Sequence, residues 1–342
     1  MKIGIIGCGF WAGYQVAAWR EADAALEFAF CDRDAAKAQA LASRFGPARA
    51  YEEAREMLDQ EMPDLVDIIT SPEMHAALTE LAAEKGIPVI CQKPMAPDWD
   101  TARRMVSICR EAGIPFYIHE NFRWQLPMRK VKALLQDDRI GTPFRARMYF
   151  NSAFPVFENQ PFLAELEKMM VADVGVHLLD VCRFLFGEVQ SVYCLNQRIN
   201  PKIRGEDVST MLLQMKSGMS CTIEMSYASI VDYECFPQTL LEIEGTTGSI
   251  RLAKDLQVRV THLSGQDELS MALLNYDWVH PQYAVVQSSM VAIHRHFLSA
   301  LAGNIPVETS GEDNLKTLQL TYAAYESAET GKVVEIPALE IN

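Results

Sequence analysis

No stretch of this chain approaches the roughly 20 consecutive apolar residues of a membrane-spanning helix. The short apolar segment at the N-terminus runs into a glycine turn rather than a secretory cleavage site. Clustered lysine and arginine are also missing. The 342 residues carry 31 basic against 45 acidic side chains, a net charge of −14. Nucleic-acid phosphates and anionic membrane surfaces therefore find no basic patch to bind. The eight cysteines form no CxxC pair and no zinc-like spacing. They read as reduced, mostly buried thiols of a cytoplasmic protein, and no metal site is expected. Internal repeats, low-complexity tracts and linkers are absent too. The remainder is an ordinary globular composition, long enough for two domains with their own cores.

What is present begins at once. Lys2-Ile-Gly-Ile-Ile-Gly7-Cys-Gly9-Phe10-Trp11-Ala12 is an apolar run leading into two glycines and then a small residue. This is the strand–turn–helix entry of a dinucleotide-binding unit. Gly7 allows the tight turn, Gly9 lets backbone N–H groups approach a pyrophosphate, and Ala12 keeps the helix close to its strand. Phe10 and Trp11 are large residues in the loop, placed to screen the pyrophosphate or simply to pack. A second strand, Leu26–Cys31, ends in Asp32, suitably placed to accept hydrogen bonds from ribose hydroxyls and to repel a 2′-phosphate. NAD is thus expected. Arg33 keeps NADP open, because it suits a 2′-phosphate. An ordinary solvated helix start capped by Asp34 is the alternative.

Strands and helices alternate to about residue 120, which implies a doubly wound parallel sheet. Helices are expected at Ala35–Phe45, Glu73–Lys85 and Asp98–Glu111. Strands are expected at Leu65–Thr70, Pro88–Cys91 and Pro115–His119. Ligands in such sheets bind beyond the C-terminal strand ends. Those ends carry Thr70-Ser71-Pro72, with His75 just inside the next helix, Gln92-Lys93-Pro94, and His119-Glu120-Asn121. Beyond residue 122 the pattern becomes helices at Met128–Gln136 and Val174–Phe186, then a series of β runs from Val189 to Val260. Ser217-Gly218 and Gly245–Gly248 read as hairpin turns. Helices at Gln282–Ala302 and Gly311–Thr330 close the chain. The expected division is 1–121 for dinucleotide binding and 122–342 for substrate binding and oligomerisation.

Two groups of residues bear on chemistry. Lys93 at a strand mouth can hold a substrate hydroxyl and stabilise a developing alkoxide, or be a plain loop lysine. Asp173-Val-Gly175-Val-His177-Leu-Leu-Asp180 places Asp173, His177 and Asp180 on one helix face. His177 is then a proton acceptor with an acid one turn earlier, or a capped helix start followed by a core histidine. His177 with a neighbouring acid, or His294 with His296, would be the least unsuitable metal ligands.

In their shared order these motifs resemble the Gfo/Idh/MocA family of oxidoreductases over nearly the whole chain. The matches are Gly7-x-Gly9-x-x-Ala12, Ser71-Pro72-x-x-His75, Lys93-Pro94, Asn121-Phe-Arg123-Trp124 and Asp173-x-Gly175-x-His177-x-x-Asp180. Glu242–Gly248 and Ser327–Gly331 add to them. The resemblance implies an N-terminal Rossmann domain joined to a C-terminal α/β domain with a large, mainly antiparallel open-faced sheet that builds homodimers or homotetramers. It implies NAD(P)-dependent hydride transfer to or from a sugar, cyclitol or related polyol, with Lys93, Asp173 and His177 catalytic. The cofactor would touch Gly7, Gly9, Phe10, Trp11, Ala12, Asp32, Arg33, Thr70, Ser71, Pro72, His75, Gln92 and Asn121. Substrate contacts are expected from His119, Glu120, Arg123 and Trp124. A non-catalytic NAD(P)-binding sensor, or an enzyme that recycles tightly held NAD, are the alternatives. Two departures stand out. Gln92 replaces the family's glutamate before the lysine, and Glu167-Lys168-Met169-Met170 replaces a glycine run, which predicts a narrower pocket.

Overall fold

The computed structural model describes residues 1–46 and 48–339. Six parallel strands form the first sheet: β1 Lys2–Ile6, β2 Glu27–Cys31, β3 Arg49–Tyr51, β4 Leu65–Ile68, β5 Val89–Gln92 and β6 Phe116–His119. Their order is β3-β2-β1-β4-β5-β6, the doubly wound arrangement in which ligands lie beyond the strand ends where the order reverses, here between β1 and β4. Five helices connect them: α1 Phe10–Ala22, α2 Ala35–Phe45, α3 Ala54–Glu61, α4 Pro72–Glu84 and α5 Trp99–Glu111. The strand cores are continuous apolar runs because helices cover both faces. β3 and α3 were not expected. Three residues of strand and one polar-rich helix of eight leave too little periodicity to read.

The second sheet has nine strands in the order β14-β13-β12-β11-β7-β10-β9-β8-β15. In chain order the elements are α6 Leu126–Gln136, β7 Pro143–Asn151, α7 Val156–Asn159, α8 Val176–Phe186, β8 Val189–Gln197, β9 Val208–Met215 and β10 Ser220–Ser226. There follow β11 Leu240–Gly245, β12 Gly248–Leu252, β13 Gln257–His262, β14 Gly265–Ser270, α9 Ala284–Leu301, α10 Gly311–Thr330 and β15 Val334–Glu335. All pairings are antiparallel except β7 with β10. Both expected hairpins form, β9–β10 and β11–β12. β14 escaped the sequence reading because nearly all of it is exposed, so it shows no apolar alternation.

The last two helices tie the sheets together. Leu315 and Leu318 of α10 pack into the core of the first sheet, while Leu320, Ala324 and Tyr325 join the core of the second. Ile293 and Phe297 of α9 pack with Ile3, Ile5 and Trp19. These shared apolar contacts hold the strand ends of the first sheet opposite α8, so the cleft between them is built into the core. Among the described residues, no helix is long and apolar enough to cross a membrane.

Candidate active site

The loop after β1 is shaped by its glycines. Gly7 has φ +95°, and a Cβ there would stand 2.5 Å from the Ile69 carbonyl oxygen, so no other residue fits without rearrangement. A Cβ at Gly9 would meet nothing within 4 Å; it would project into open space over the loop. Gly9 is also the N-cap of α1, which has no side-chain cap and no acid in its first turn. Free N–H groups under open space fit a pyrophosphate. Asp32 stands at the rim. Its Oδ2 accepts from Cys8 N at 2.7 Å and its Oδ1 from Asp34 N at 2.9 Å, so the carboxylate is fixed beside the loop. Arg33 and Phe10 are exposed there, Trp11 is half-buried against α9, and Ala12 is buried under the helix. Burial pushes the Cys8 and Cys31 thiols up to about 12, which keeps them protonated and inert. Thr70, Ser71 and Pro72 line the end of β4, at least partly open. These residues fit a dinucleotide.

Three residues expected to touch the cofactor are buried and braced by protein partners. His75 is fully buried, with Nδ1 3.1 Å from the Met95 carbonyl oxygen and Nε2 3.1 Å from that of Thr70; it ties the β4 loop to the β5 loop. Asn121 donates to Ser289 Oγ at 2.7 Å and to the Val286 carbonyl, anchoring α9. Gln92 accepts from Lys93 N at 2.9 Å and donates to Gln15 Oε1 at 2.7 Å. Gln15 in turn donates to Asp67, which also accepts from Trp19 Nε1 at 2.8 Å. A buried polar chain thus links α1 to the backbone of Lys93. The amide of Gln92 suits this place because it must accept from one neighbour and donate to another, which a carboxylate cannot do.

Lys93 reaches from the end of β5 to Asp173, just before α8, which carries His177. Lys93 Nζ lies 2.9 Å from Asp173 Oδ1 and 3.1 Å from the Asp173 carbonyl oxygen, and both side chains keep some exposure. Burial would raise the Asp173 carboxyl, but the Lys93 charge outweighs it and holds the group below its ordinary value. Asp173 sits in a π-helical turn, Val171–Gly175, rather than in the regular helix expected from Val174. Such turns occur often at functional sites. This one is clamped by Glu206, which accepts from Met169 N, Val171 N and Tyr325 Oη, while Tyr325 Oη accepts from Ala172 N. Met169 and Met170 are wholly buried in the second core, so their bulk does not narrow the cleft as expected.

The partner of His177 is not Asp173. Its Nδ1 lies 2.6 Å from Glu120 Oε1, and Phe122 stacks on the ring at 3.8 Å and 5°. Asp180 faces away from the cleft. It is fully buried and accepts from Arg123 Nε and Nη2 at 2.7 and 2.5 Å. Arg123 also meets Asp313 at 2.9 Å, so it is a structural ion pair and not a substrate contact. His119 is buried against His294, Nε2 to Nε2 at 3.0 Å, and Trp124 is covered by the Arg129 guanidinium at 3.5 Å. Glu120 is fully buried behind His177. Of the four residues expected to touch substrate, His119, Glu120 and Arg123 are buried and Trp124 is partly buried. Tyr227 was missed. It carries the negative field of Asp173 and belongs to an aromatic group with Phe150, Phe157 and Phe236. Its only sequence signal was a place at the end of β10. Among the described residues, no three His, Cys, Asp or Glu side chains group closely enough to hold a metal ion.

Known proteins share this arrangement. Residues 1–119 match the family described as the GFO/IDH/MocA oxidoreductase family with NAD-binding Rossmann fold, and residues 128–251 match the GFO/IDH/MocA C-terminal domain. The D-apiose dehydrogenase of Paraburkholderia graminis is 43% identical over 99% of this chain and 90% of its own length. That of Rhizobium rhizogenes is 42% identical over 99% of this chain and 98% of its own. An oxidoreductase from Agrobacterium radiobacter, solved with NAD+, L-tartaric acid and magnesium, superposes with a TM-score of 0.94 at 42% identity, covering 98% of both chains. The chain belongs to the GFO/IDH/MocA family of oxidoreductases.

Proposed function

We propose that this protein is an NAD-dependent sugar dehydrogenase whose substrate is D-apiose or a sugar of similar size. The observation that carries the reading is the Lys93–Asp173 pair, with His177 close enough to bear electrostatically on Asp173. The D-apiose dehydrogenases at 43% and 42% identity supply the substrate class. NAD, held at the glycine loop and Asp32, would supply the acceptor for the hydride that leaves the carbinol carbon. Lys93 holds the substrate oxygen and stabilises its negative charge as the C–H bond breaks. Asp173 holds the Lys93 ammonium at the cleft. His177 Nε2 accepts the hydroxyl proton, and the freed electron pair completes the carbonyl. In the reverse direction His177 is the acid. The Asp32 carboxylate beside the loop favours NAD over NADP, since a 2′-phosphate there would be repelled.

The test is a panel of sugars and polyols including D-apiose, offered with NAD and NADP separately, with Lys93→Ala as control. Reduced cofactor with D-apiose and NAD, abolished in Lys93→Ala, supports the reading. No reduced cofactor from any member, or an equally active variant, overturns it.

The domain division at 121/122 and the homo-oligomer are further proposals; the second range ends in 340–342, outside the described residues. The outer face of the nine-stranded sheet presents Leu195 and Leu212 on β8 and β9, each 50% exposed, with the Arg145–Glu244 pair across β7 and β11 and the Arg259–Glu268 pair across β13 and β14. A broad sheet face that mixes exposed leucines with paired charges suits contact with a second copy. A monomeric mass in light scattering would count against it.

A further inference from the structure

Sequence spacing offered Asp173 as the acid beside His177, but Lys93 takes that carboxylate. The imidazole faces a different acid from the other sheet. Glu120 follows β6, is fully buried, and places Oε1 2.6 Å from His177 Nδ1. The same oxygen accepts from Phe122 N at 3.2 Å. Oε2 is buried with no partner among the described residues. Burial opposes the charge of Glu120, yet His177, the Phe122 N–H and the Lys93 charge together hold the carboxyl below its ordinary value, so the group is a carboxylate. A buried carboxylate with one strong partner and one bare oxygen is costly for a purely structural contact. A glutamine would fill the same space without that cost.

We propose that Glu120 is the positioning residue of the reaction, fixing His177 as the Nδ1-protonated tautomer so that Nε2 is the atom that accepts the substrate proton. A carboxylate can only accept, so Nδ1 must carry hydrogen. Nε2 makes no protein hydrogen bond among the described residues and is not one of the fully buried orphan atoms, which leaves it turned to the cleft. Phe122, two residues after Glu120, stacks on the ring and fixes its plane. One short segment therefore sets both the plane and the tautomer of a base carried by α8. The other charged groups near this pair act through space: Lys93 and Asp180 on Glu120, Asp173 and His119 on His177. None of them is bonded to the ring.

This inference rests on the dehydrogenase reading only for its kinetic consequence, so the main readout does not need turnover. The protein is labelled with ¹⁵N-histidine and the ring nitrogens are recorded in alkaline buffer, with His177→Gln used for assignment. Wild type is expected to show a protonated Nδ1 and a bare Nε2. In Glu120→Gln, where the amide can donate to Nδ1, the proton shifts to Nε2. A protonated Nε2 in wild type, or the same tautomer in wild type and Glu120→Gln, overturns the proposal. If Glu120→Gln does not fold, the wild-type spectrum alone decides. With D-apiose and NAD, kcat in Glu120→Gln is expected to fall on the order of 10²-fold or more, with KM values within about 2-fold and partial recovery in Glu120→Asp. A changed KM at constant kcat would contradict a positioning role. Absence of turnover in wild type would instead count against the substrate reading, leaving the tautomer result to stand on its own.

Discussion

Asp67 is the most informative residue outside the cleft. It lies within β4, fully buried between β1 and β5. Its partners are neutral: Gln15 Nε2 donates to both oxygens at 2.8 Å and Trp19 Nε1 to one at 2.8 Å. Burial pushes the carboxyl up from 3.8 to about 6, against the pull of those hydrogen bonds. In the unfolded chain the same group ionises near its ordinary value. Folding therefore favours the protonated form, and the stability this contributes is complete below about pH 4 and lost as pH rises through about 6. A shift of this size at about 1.4 kcal/mol per unit amounts to about 3 kcal/mol. Asp67→Asn removes the titration while keeping an acceptor for one donor. Unfolding free energies from urea titrations, followed by circular dichroism between about pH 4 and pH 7, give the comparison. The wild-type value minus the Asp67→Asn value is expected to fall by about 3 kcal/mol across that window. Parallel curves would refute the reasoning, because they would mean that the carboxyl ionises in the folded protein as it does in water.

Three further outcomes follow from the contacts. Asp180→Ala leaves the buried Arg123 guanidinium with Asp313 and the Glu308 carbonyl oxygen, so unfolding free energy is expected to drop by about 3–5 kcal/mol; a loss below about 1 kcal/mol would show that the pair is dispensable. Asp32→Ala removes the carboxylate beside the glycine loop, and calorimetric titration is expected to show NAD binding weakened roughly 10-fold, the worth of hydrogen bonds to a charged acceptor, with NADP affected less. Unchanged NAD affinity would contradict the ribose role. Glu206→Gln weakens the clamp on the π-helical turn that carries Asp173, so kcat is expected to fall by roughly 10-fold while NAD affinity holds; unchanged kcat would show that the turn keeps its shape without the charge.

Most of the first sheet was legible because β1, β2, β4, β5 and β6 are largely apolar and helices such as α4 and α5 are followed by stops at Gly86 and Gly113; the short β3 and polar α3 were not. The glycine loop was legible because Gly7 answers a steric demand that no other residue meets. Lys93, Asp173 and His177 could be picked out because strand ends and helix offsets are written in sequence. Their pairing could not. Spacing on one helix suggested Asp173 for His177, whereas a lysine 80 positions earlier competes for that carboxylate and a π-helical turn alters the offset. Arg123, His119 and Asn121 looked like binding residues because they are polar and follow a strand. Each is consumed by a partner from α8, α9 or the start of α10, more than 50 residues away. Asp67 gave a signal that was passed over: a lone acid in the run Leu65-Val-Asp-Ile-Ile cannot point to water.

The central claim is that Lys93 acts on the reacting oxygen. Single-turnover mixing of D-apiose with the NAD-loaded protein, followed by the absorbance of reduced nicotinamide, tests it most directly when NAD affinity is measured on the same samples. The account predicts rapid reduction by wild type, and a rate at least about 10²-fold slower in Lys93→Ala with NAD affinity unchanged. Equal rates in the two proteins would contradict it.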